Sequence, residues 1–256
     1  MLRRKSIPAE WREGLARGRL LGTFLKIASL ETVEITISAG FDFAIVDLEH
    51  SQLSMGEGLR LIRHGFALGL PVAARIPTVD RGAINRLLEA GASGIQLSGV
   101  RSTAQVRDLV SATRYPPAGS RSVSLAQPVA GYGALTLREA VEADPPLLIA
   151  QIESTETDDP LDELLSGGVD VAFIGPTDLL VEVGFDRGRL AARIEEIAKA
   201  AVAAGVVLGA YASGPADVPE GANYVALSSD LSVLRSATSD SASAAKDMFE
   251  RRERAS

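Results

Sequence analysis

The chain of 256 residues contains no cysteine, which excludes disulfide bonds, thiolate nucleophiles and cysteine-ligated zinc sites. Lysine is scarce as well, and of the four lysines only Lys26 lies on a predicted strand, so a Schiff-base mechanism would have to use it. No apolar run approaches the ~20 residues that span a bilayer, and the basic N-terminus lacks the apolar segment of a secretory signal. We therefore expect a cytoplasmic protein with no membrane partner.

Basic residues do not predominate either. The formal net charge is -7 and the isoelectric point is near 5.0, which argues against nucleic acid as a partner, because phosphates require a basic surface. Hydrophobic residues make up 46% of the chain and charged residues 23%, proportions typical of a soluble globular protein. No linker or change of composition divides the sequence, and we expect one domain over residues 1–256.

Three common motifs are also missing. The sequence has no G-x-S-x-G nucleophile turn, no G-x-x-x-x-G-K-[ST] phosphate loop and no G-x-G-x-x-G after a strand. These absences weaken the hydrolase, nucleotidase and dinucleotide-binding interpretations.

Short, nearly continuous apolar runs alternate with segments of helical periodicity. This alternation is typical of parallel strands that are covered by helices on both faces. Eight such units in a chain of this length predict an α/β fold of the (β/α)8 barrel type, with an extra C-terminal helix over 231–252. The predicted strands are 22–28, 43–49, 71–76, 93–98, 147–153, 169–175, 206–212 and 224–229, and the predicted helices include Leu30–Ala39, Ser54–Leu68, Arg81–Ala90, Thr103–Thr113 and Gly188–Ala204.

One long segment, 118–134, has neither strand nor helix periodicity. Long connections without secondary structure are typically functional loops. We therefore expect this segment to cover the active site.

Polar side chains gather at the predicted carboxyl-terminal ends of several strands. In a (β/α)8 barrel the catalytic groups come from these ends, because the loops there vary while the interior stays packed. The residues are Asp47, Glu49 and His50 on the second strand, Arg75 on the third, Gln151 and Glu153 on the fifth, and Gly175, Thr177 and Asp178 after the sixth.

Glu153 and Asp178 predict a divalent metal site. The fifth and sixth strands are expected to be neighbours at ~4.8 Å, so that both carboxylates reach one ion. Two carboxylates, with water and substrate oxygens completing the coordination, commonly hold Mg²⁺ or Mn²⁺.

Each of these residues alone also has a structural explanation. His50 could be a surface residue, Arg75 could pair with Glu89, and Asp178 could cap a helix. Their coincidence at one rim favours a site. For Glu49 a structural role is at least as well supported, because on an alternating strand it points away from its neighbour His50.

The same segments resemble the HpcH/HpaI family of class II, metal-dependent pyruvate aldolases, which includes relatives of the citrate lyase β subunit. The resemblance extends from about Gly22 to Leu234. Its motifs are "AGFDFAIVDLEHS", "PVAARIP", "LLEAGASGIQL", "RYPPAGSRS", "AQIES", "GVDVAFIGPTDLLVEVG" and "YVALSSDLSVL".

The resemblance implies a role for each site residue and a barrel of the phosphoenolpyruvate/pyruvate type. Glu153 and Asp178 would hold Mg²⁺, Mn²⁺ or Co²⁺, with Gln151 as their polar neighbour. The main-chain N–H groups of Gly175 and Thr177 would bind the pyruvate carboxylate, and Arg75 would bind the keto oxygen. His50 would move protons, and Asp47 and Glu89 would orient it.

The sequence departs from the family at positions around the site. The family usually has aspartate where Glu89 stands, tryptophan at Phe24, glycine at Ser122 and a small residue at Leu180. These departures surround the predicted site and therefore bear on the choice of substrate.

The resulting expectation is an aldehyde-lyase that cleaves or forms 4-hydroxy-2-oxo acids through a pyruvate enolate. Its partners would be small molecules, pyruvate and an aldehyde, and the resemblance implies a homo-oligomer, a hexamer. Three alternatives remain: oxaloacetate decarboxylation, a citrate-lyase-like reaction on an acyl-CoA, and a barrel that binds a metal and an oxo acid as a sensor or scaffold.

Overall fold

The computed structural model describes residues 6–255 of the chain. In this part of the chain, parallel strands pair in chain order and the last one pairs with the first, which closes the sheet into a barrel of eight. The predicted (β/α)8 barrel is therefore confirmed. The strands are β1 Leu20–Leu25, β2 Phe43–Asp47, β3 Val72–Ile76, β4 Gly94–Leu97, β5 Leu147–Ile152, β6 Val171–Ile174, β7 Val207–Ala212 and β8 Tyr224–Ser229.

Helices separate the strands along most of the chain and cover the outside of the barrel. Ser54 and Ser102 begin two of them with capping boxes, in which the cap residue and the third helical residue bond reciprocally. The five predicted helices between strands are present with ends that agree within one residue, and the C-terminal helix predicted over 231–252 extends to Ala255. The helices are α1 Ile7–Arg17, α2 Leu30–Ser38, α3 Met55–Leu68, α4 Arg81–Ala90, α5 Thr103–Thr113, α6 Leu137–Val141, α7 Leu161–Leu165, α8 Pro176–Glu182, α9 Arg187–Ala204 and α10 Asp230–Ala255.

The amino-terminal end of the barrel is closed by α1, which the periodicity did not predict. The Trp11 ring lies 5.6 Å from that of Phe43 and 5.9 Å from that of Tyr224, and the latter two rings stack at 4.2 Å. Gly22 leaves room for the Phe43 ring, which a Cβ at that position would overlap. This end is therefore filled by aromatic core.

The segment 118–134 lies at the amino-terminal end of the barrel. Arg121 and Ser124 line a cavity of about 390 Å³ there, together with Ser93 and Pro146, which precede β4 and β5. The expectation that this segment covers the active site within its own chain is wrong. The reason is that it follows a helix, and the helices of this fold return the chain to the amino-terminal ends of the strands.

The C-terminal helix α10 extends away from the barrel. Every side chain from Leu231 to Arg254 is exposed. Exposed apolar groups of this kind usually mark contact surfaces, and they are Leu231, Val233, Leu234, Met248 and Phe249. No helix in the described part of the chain combines the length and the apolar character that a membrane span requires.

Candidate active site

A cavity of about 300 Å³ opens at the carboxyl-terminal end of the barrel. The larger cavity at the amino-terminal end is lined by none of the predicted site residues, so the carboxyl-terminal cavity is the candidate active site. Six predicted residues line it, namely His50, Arg75, Gln151, Gly175, Thr177 and Asp178. The other lining residues are Phe24, Lys26, Pro176, Tyr211, Ser229 and Ser232.

Asp47 and Arg75 form a buried ion pair beside this cavity. They are directly opposite each other in the register of β2 and β3. Arg75 Nε donates to Asp47 Oδ1 at 2.9 Å and Nη2 donates to Oδ2 at 2.6 Å. Two parallel bonds of this kind fix the plane of the guanidinium group, whose central carbon also lies 4.8 Å from the centre of the Phe24 ring.

Asp47 accepts further bonds from Lys26 and from the turn that follows β2. Lys26 Nζ lies 2.6 Å from Asp47 Oδ2, and the N–H groups of Glu49 and His50 donate to Oδ1 at 3.1 Å. Burial alone would raise the pKa of Asp47, but its bonds to Arg75 and Lys26 and the charge of Arg75 hold that pKa well below its usual value. Asp47 is therefore ionised, and its contact with His50 is to the main-chain N–H, whereas the resemblance implies that Asp47 orients this histidine.

Glu49 lies closer to the site than its place in the sequence suggested. Its Oε2 is 3.4 Å from Arg75 Nε and 3.9 Å from His50 Nε2, and its Oε1 accepts a bond from Ser98 Oγ at 2.6 Å. Oε2 is buried without a hydrogen-bond partner. Glu49 was expected to point away from His50 as on an alternating strand. It does not, because β2 ends at Asp47 and the chain already turns at Glu49.

Glu89 does not lie near His50 within the described chain. It lies one residue before the end of α4 and accepts a bond from Asn85 Nδ2 at 3.1 Å. The C-terminal end of a barrel helix lies at the amino-terminal ends of the strands, which is the end opposite His50. Within one chain, the orientation of His50 by Glu89 is therefore not observed, and Arg75 pairs with Asp47 and Glu49 instead of Glu89.

Glu153 follows the last residue of β5 and is held by a chain of amide side chains. Gln96 Nε2 donates to Gln151 Oε1 at 2.6 Å, and Gln151 Nε2 donates to Glu153 Oε2. Burial raises the pKa of Glu153, and the negative charges of Glu49 and Asp178 raise it further, in spite of the bond from Gln151. Three carboxyl groups, those of Glu49, Glu153 and Asp178, thus act on one another here.

This arrangement of carboxylates fits a divalent cation. A cation between Glu153 and Asp178 would offset the burial and the repulsion that raise the pKa of Glu153. In residues 6–255, no three histidine, aspartate or glutamate side chains form a ready-made metal cage. Two protein carboxylates with the remaining positions left to water and substrate is a pattern typical of Mg²⁺.

Gly175 is required for steric reasons at the junction of β6 and α8. A Cβ at this position would lie 2.8 Å from both Cβ and Oε2 of Glu153. Its N–H donates to the Ile152 carbonyl at 3.0 Å, so this N–H is engaged within the sheet and is not free for a substrate. Thr177 lies in the first turn of α8, where main-chain N–H groups have no partner within the helix.

Of the six other cavity residues, four have polar side-chain atoms and were not predicted as site residues from the sequence. Lys26 directly follows β1 and Ser229 is the last residue of β8, so the rule that polar groups at strand ends form the site could have found both. Ser232 lies in the first turn of α10, beyond the end of β8. Tyr211 lies inside β7, where an aromatic residue is expected to belong to the hydrophobic core.

Comparison with known proteins identifies similar sequences and folds. The sequence model described as HpcH/HpaI aldolase/citrate lyase matches residues 20–237. The 2-keto-3-deoxy-L-rhamnonate aldolase of Klebsiella pneumoniae is 32% identical over 86% of each chain. A hydroxypyruvate/pyruvate aldolase of Roseovarius nubinhibens is 32% identical over 88% of this chain and 91% of its own. The crystal structure of an HpcH/HpaI aldolase from Desulfitobacterium hafniense superposes with a TM-score of 0.81, at 28% identity over 95% of this chain and 97% of that one.

Proposed function

The chain belongs to the HpcH/HpaI aldolase/citrate lyase family, and from this premise we propose that it is a divalent-metal-dependent aldolase acting on 4-hydroxy-2-oxo acids through a pyruvate enolate. The observation that carries the proposal is one cavity in which Arg75, His50 and Asp178 meet, with Glu153 packed against its Gly175 wall. The aldolase names of two relatives support it.

Glu153 and Asp178 are the proposed metal ligands. Bound between them, Mg²⁺, Mn²⁺ or Co²⁺ would act as a Lewis acid toward the carboxylate and keto oxygen of a pyruvyl group. Gln151 keeps the Glu153 carboxylate in place through the hydrogen bond that its side-chain amide donates. The missing side chain of Gly175 leaves room for the carboxylate.

Arg75 is proposed to bind the keto oxygen of the substrate. Its guanidinium group is held by Asp47 before any substrate arrives, so no reorganisation is needed when negative charge develops on that oxygen. Thr177 offers a main-chain N–H to the substrate carboxylate.

His50 is proposed to take the proton from the 4-hydroxyl group when the carbon–carbon bond breaks, and to return it in the direction of synthesis. Its side chain is 62% exposed at the cavity, which leaves the ring free to exchange protons with solvent. Histidine suits this task because its charge changes near neutral pH.

The first expected result is exchange of the methyl protons of pyruvate with D₂O, followed by NMR. Enolate formation alone causes this exchange, so the test does not depend on the unidentified aldehyde. We expect exchange with Mg²⁺, Mn²⁺ or Co²⁺ and none in excess EDTA, and a screen of aldehydes with pyruvate should then give aldol products. If no metal supports exchange or product formation, the proposed function is wrong. Release of carbon dioxide from oxaloacetate without any aldol product would support the decarboxylase instead.

The second expected result concerns assembly, because α10 exposes its apolar side chains. We propose a homo-oligomer, a hexamer, in which a second copy covers this helix. Light scattering at micromolar concentration should then give six times the chain mass of 26.8 kDa.

Charged substitutions test which surface is used. Leu234→Arg should lower the oligomer mass, because a charge would be buried in the contact. Val202→Arg is the matched control, since Val202 is a more exposed apolar residue on α9, at 82% against 53% for Leu234. A monomeric parent protein would contradict the assembly.

A further inference from the structure

Lys26 is a cavity residue to which the aldolase proposal assigns no task. Its Nζ lies 2.6 Å from Asp47 Oδ2 and donates to the main-chain carbonyl of His50 at 2.8 Å. Its side chain is only 20% exposed. One ammonium group therefore bridges the carboxylate at the end of β2 and the peptide of the histidine that follows it.

The main chain of Lys26 is itself fixed. The N–H groups of Lys26 and Ile27 both donate to the carboxylate of Asp230, at 2.9 Å and 3.0 Å. Asp230 is the first residue of α10. The main chain from which the lysine side chain extends to the turn is thus held in place.

The turn after β2 is built around Asp47. The carboxylate accepts the N–H groups of Glu49 and His50, and Ser51 Oγ donates to the Asp47 carbonyl. No hydrogen bond of the described residues involves the His50 imidazole, and among them the one carboxylate within 4 Å of the ring is that of Glu49, whose Oε2 lies 3.9 Å from Nε2. The ring is therefore positioned by the main chain of His50, to which Lys26 bonds directly.

We infer that Lys26 is a positioning residue, which holds the main chain of His50 so that the imidazole faces the cavity. The inference rests on the proposed role of His50 in proton transfer. The ammonium group is poorly suited to Schiff-base chemistry, because it is paired with a carboxylate and lacks the free electron pair that attacks a carbonyl.

Loss of Lys26 should affect the position of His50 more than that of Arg75. Arg75 keeps both of its bonds to Asp47 without the lysine, so pyruvate binding should change little. The His50 carbonyl loses its donor, and a misplaced base lowers the rate of the chemical step. We therefore expect Lys26→Met to lower kcat for aldol cleavage by about 10- to 100-fold, with the KM for pyruvate nearly unchanged in the direction of synthesis.

Amide hydrogen exchange measured by mass spectrometry tests the inference without substrate or metal. In Lys26→Met, the peptide that contains Glu49 and His50 should exchange about tenfold faster, because one bond that closes the turn is gone. The peptide that contains β3 should exchange as in the parent. Lys26→Arg keeps a cationic donor and should lie between parent and Lys26→Met in both exchange and kcat.

Lys199→Met is the matched control. Lys199 Nζ also lies 2.6 Å from a carboxylate, that of Glu195, but it is 74% exposed on α9. This variant should match the parent in exchange, kcat and melting temperature.

Three outcomes would overturn the inference. They are unchanged exchange around His50, faster exchange spread over the whole barrel as in general destabilisation, and a kcat equal to the parent's. A borohydride-trapped pyruvate adduct on Lys26 of the parent would make the lysine a nucleophile instead. If the parent enzyme has no aldolase activity, the proposed function fails, while the exchange result still reports whether Lys26 orders the turn.

Discussion

Glu153→Gln is expected to lower aldol cleavage by about 10³-fold or more, because a lost metal ligand removes several kcal/mol of transition-state stabilisation. The same change should leave the metal-free fold intact. Burial and the charges of Glu49 and Asp178 raise the Glu153 pKa, so the ionised form is less stable in the folded chain than in the unfolded one. Above this raised pKa the charge therefore lowers the free energy of unfolding.

A neutral glutamine removes that penalty and still accepts the bond from Gln151. In chelator near neutral pH, the melting temperature of Glu153→Gln should therefore equal or exceed that of the parent. Added Mn²⁺ should raise the melting temperature of the parent, because it binds the folded state, and should not raise that of the variant.

Glu156→Gln is the matched control, since Glu156 is an exposed carboxylate three residues further along the same loop. It should behave as the parent in activity and in the response to Mn²⁺. Full activity of the parent in excess EDTA, or an unchanged response of Glu153→Gln to Mn²⁺, would contradict the metal assignment.

The barrel could be predicted because its strands are buried on both faces and read as short apolar runs separated by helices. The site could be located for the same reason. Once the strand ends are known, the position of each polar residue along its strand decides whether it lies at the functional end. Arg75, Gln151 and Asp178, which were predicted at one rim on this basis, line one cavity in the structure.

Side-chain direction and contacts beyond the strand ends could not be predicted. The alternation of side chains along a strand gave the wrong direction for Glu49, because β2 stops two residues earlier. By contrast, the place of the segment 118–134 at the amino-terminal end could have been predicted, because the segment follows the predicted helix Thr103–Thr113. The same holds for Glu89, which lies one residue before the end of the predicted helix Arg81–Ala90. Lys26 was judged only as a nucleophile, since its bond to the His50 carbonyl depends on tertiary structure.

Replacement of His50 and of Arg75 should separate the base from the group that binds the keto oxygen. His50→Ala should chiefly lower kcat, by ~10²–10⁴-fold as is typical of general acid–base catalysis, with pyruvate binding nearly intact. His64→Ala is the matched control, because His64 is the only other histidine and pairs with Glu34 at 2.9 Å on the outside of the barrel.

Arg75→Ala should weaken pyruvate binding as well as enolate formation, because the guanidinium group would contact the keto oxygen in the ground state and in the transition state. This variant also leaves Asp47 buried with one cationic partner fewer, and breaking a buried pair costs about 3 kcal/mol or more. Arg75→Lys keeps a positive charge beside Asp47 and should retain more of the stability, but it lacks the two-pronged geometry and should still bind pyruvate less well.

Exchange of the pyruvate methyl protons with D₂O, measured by NMR beside aldol cleavage, distinguishes the two roles. His50→Ala should saturate with pyruvate at the parent's concentration and turn over slowly. Arg75→Lys should require more pyruvate and also turn over slowly, with melting temperatures showing that both are folded. If both variants exchange and cleave like the parent, the ion pair of Asp47 and Arg75 and the neighbouring histidine serve only the structure of the barrel. The catalysis would then have to arise elsewhere, and the aldolase mechanism proposed for this cavity would be wrong.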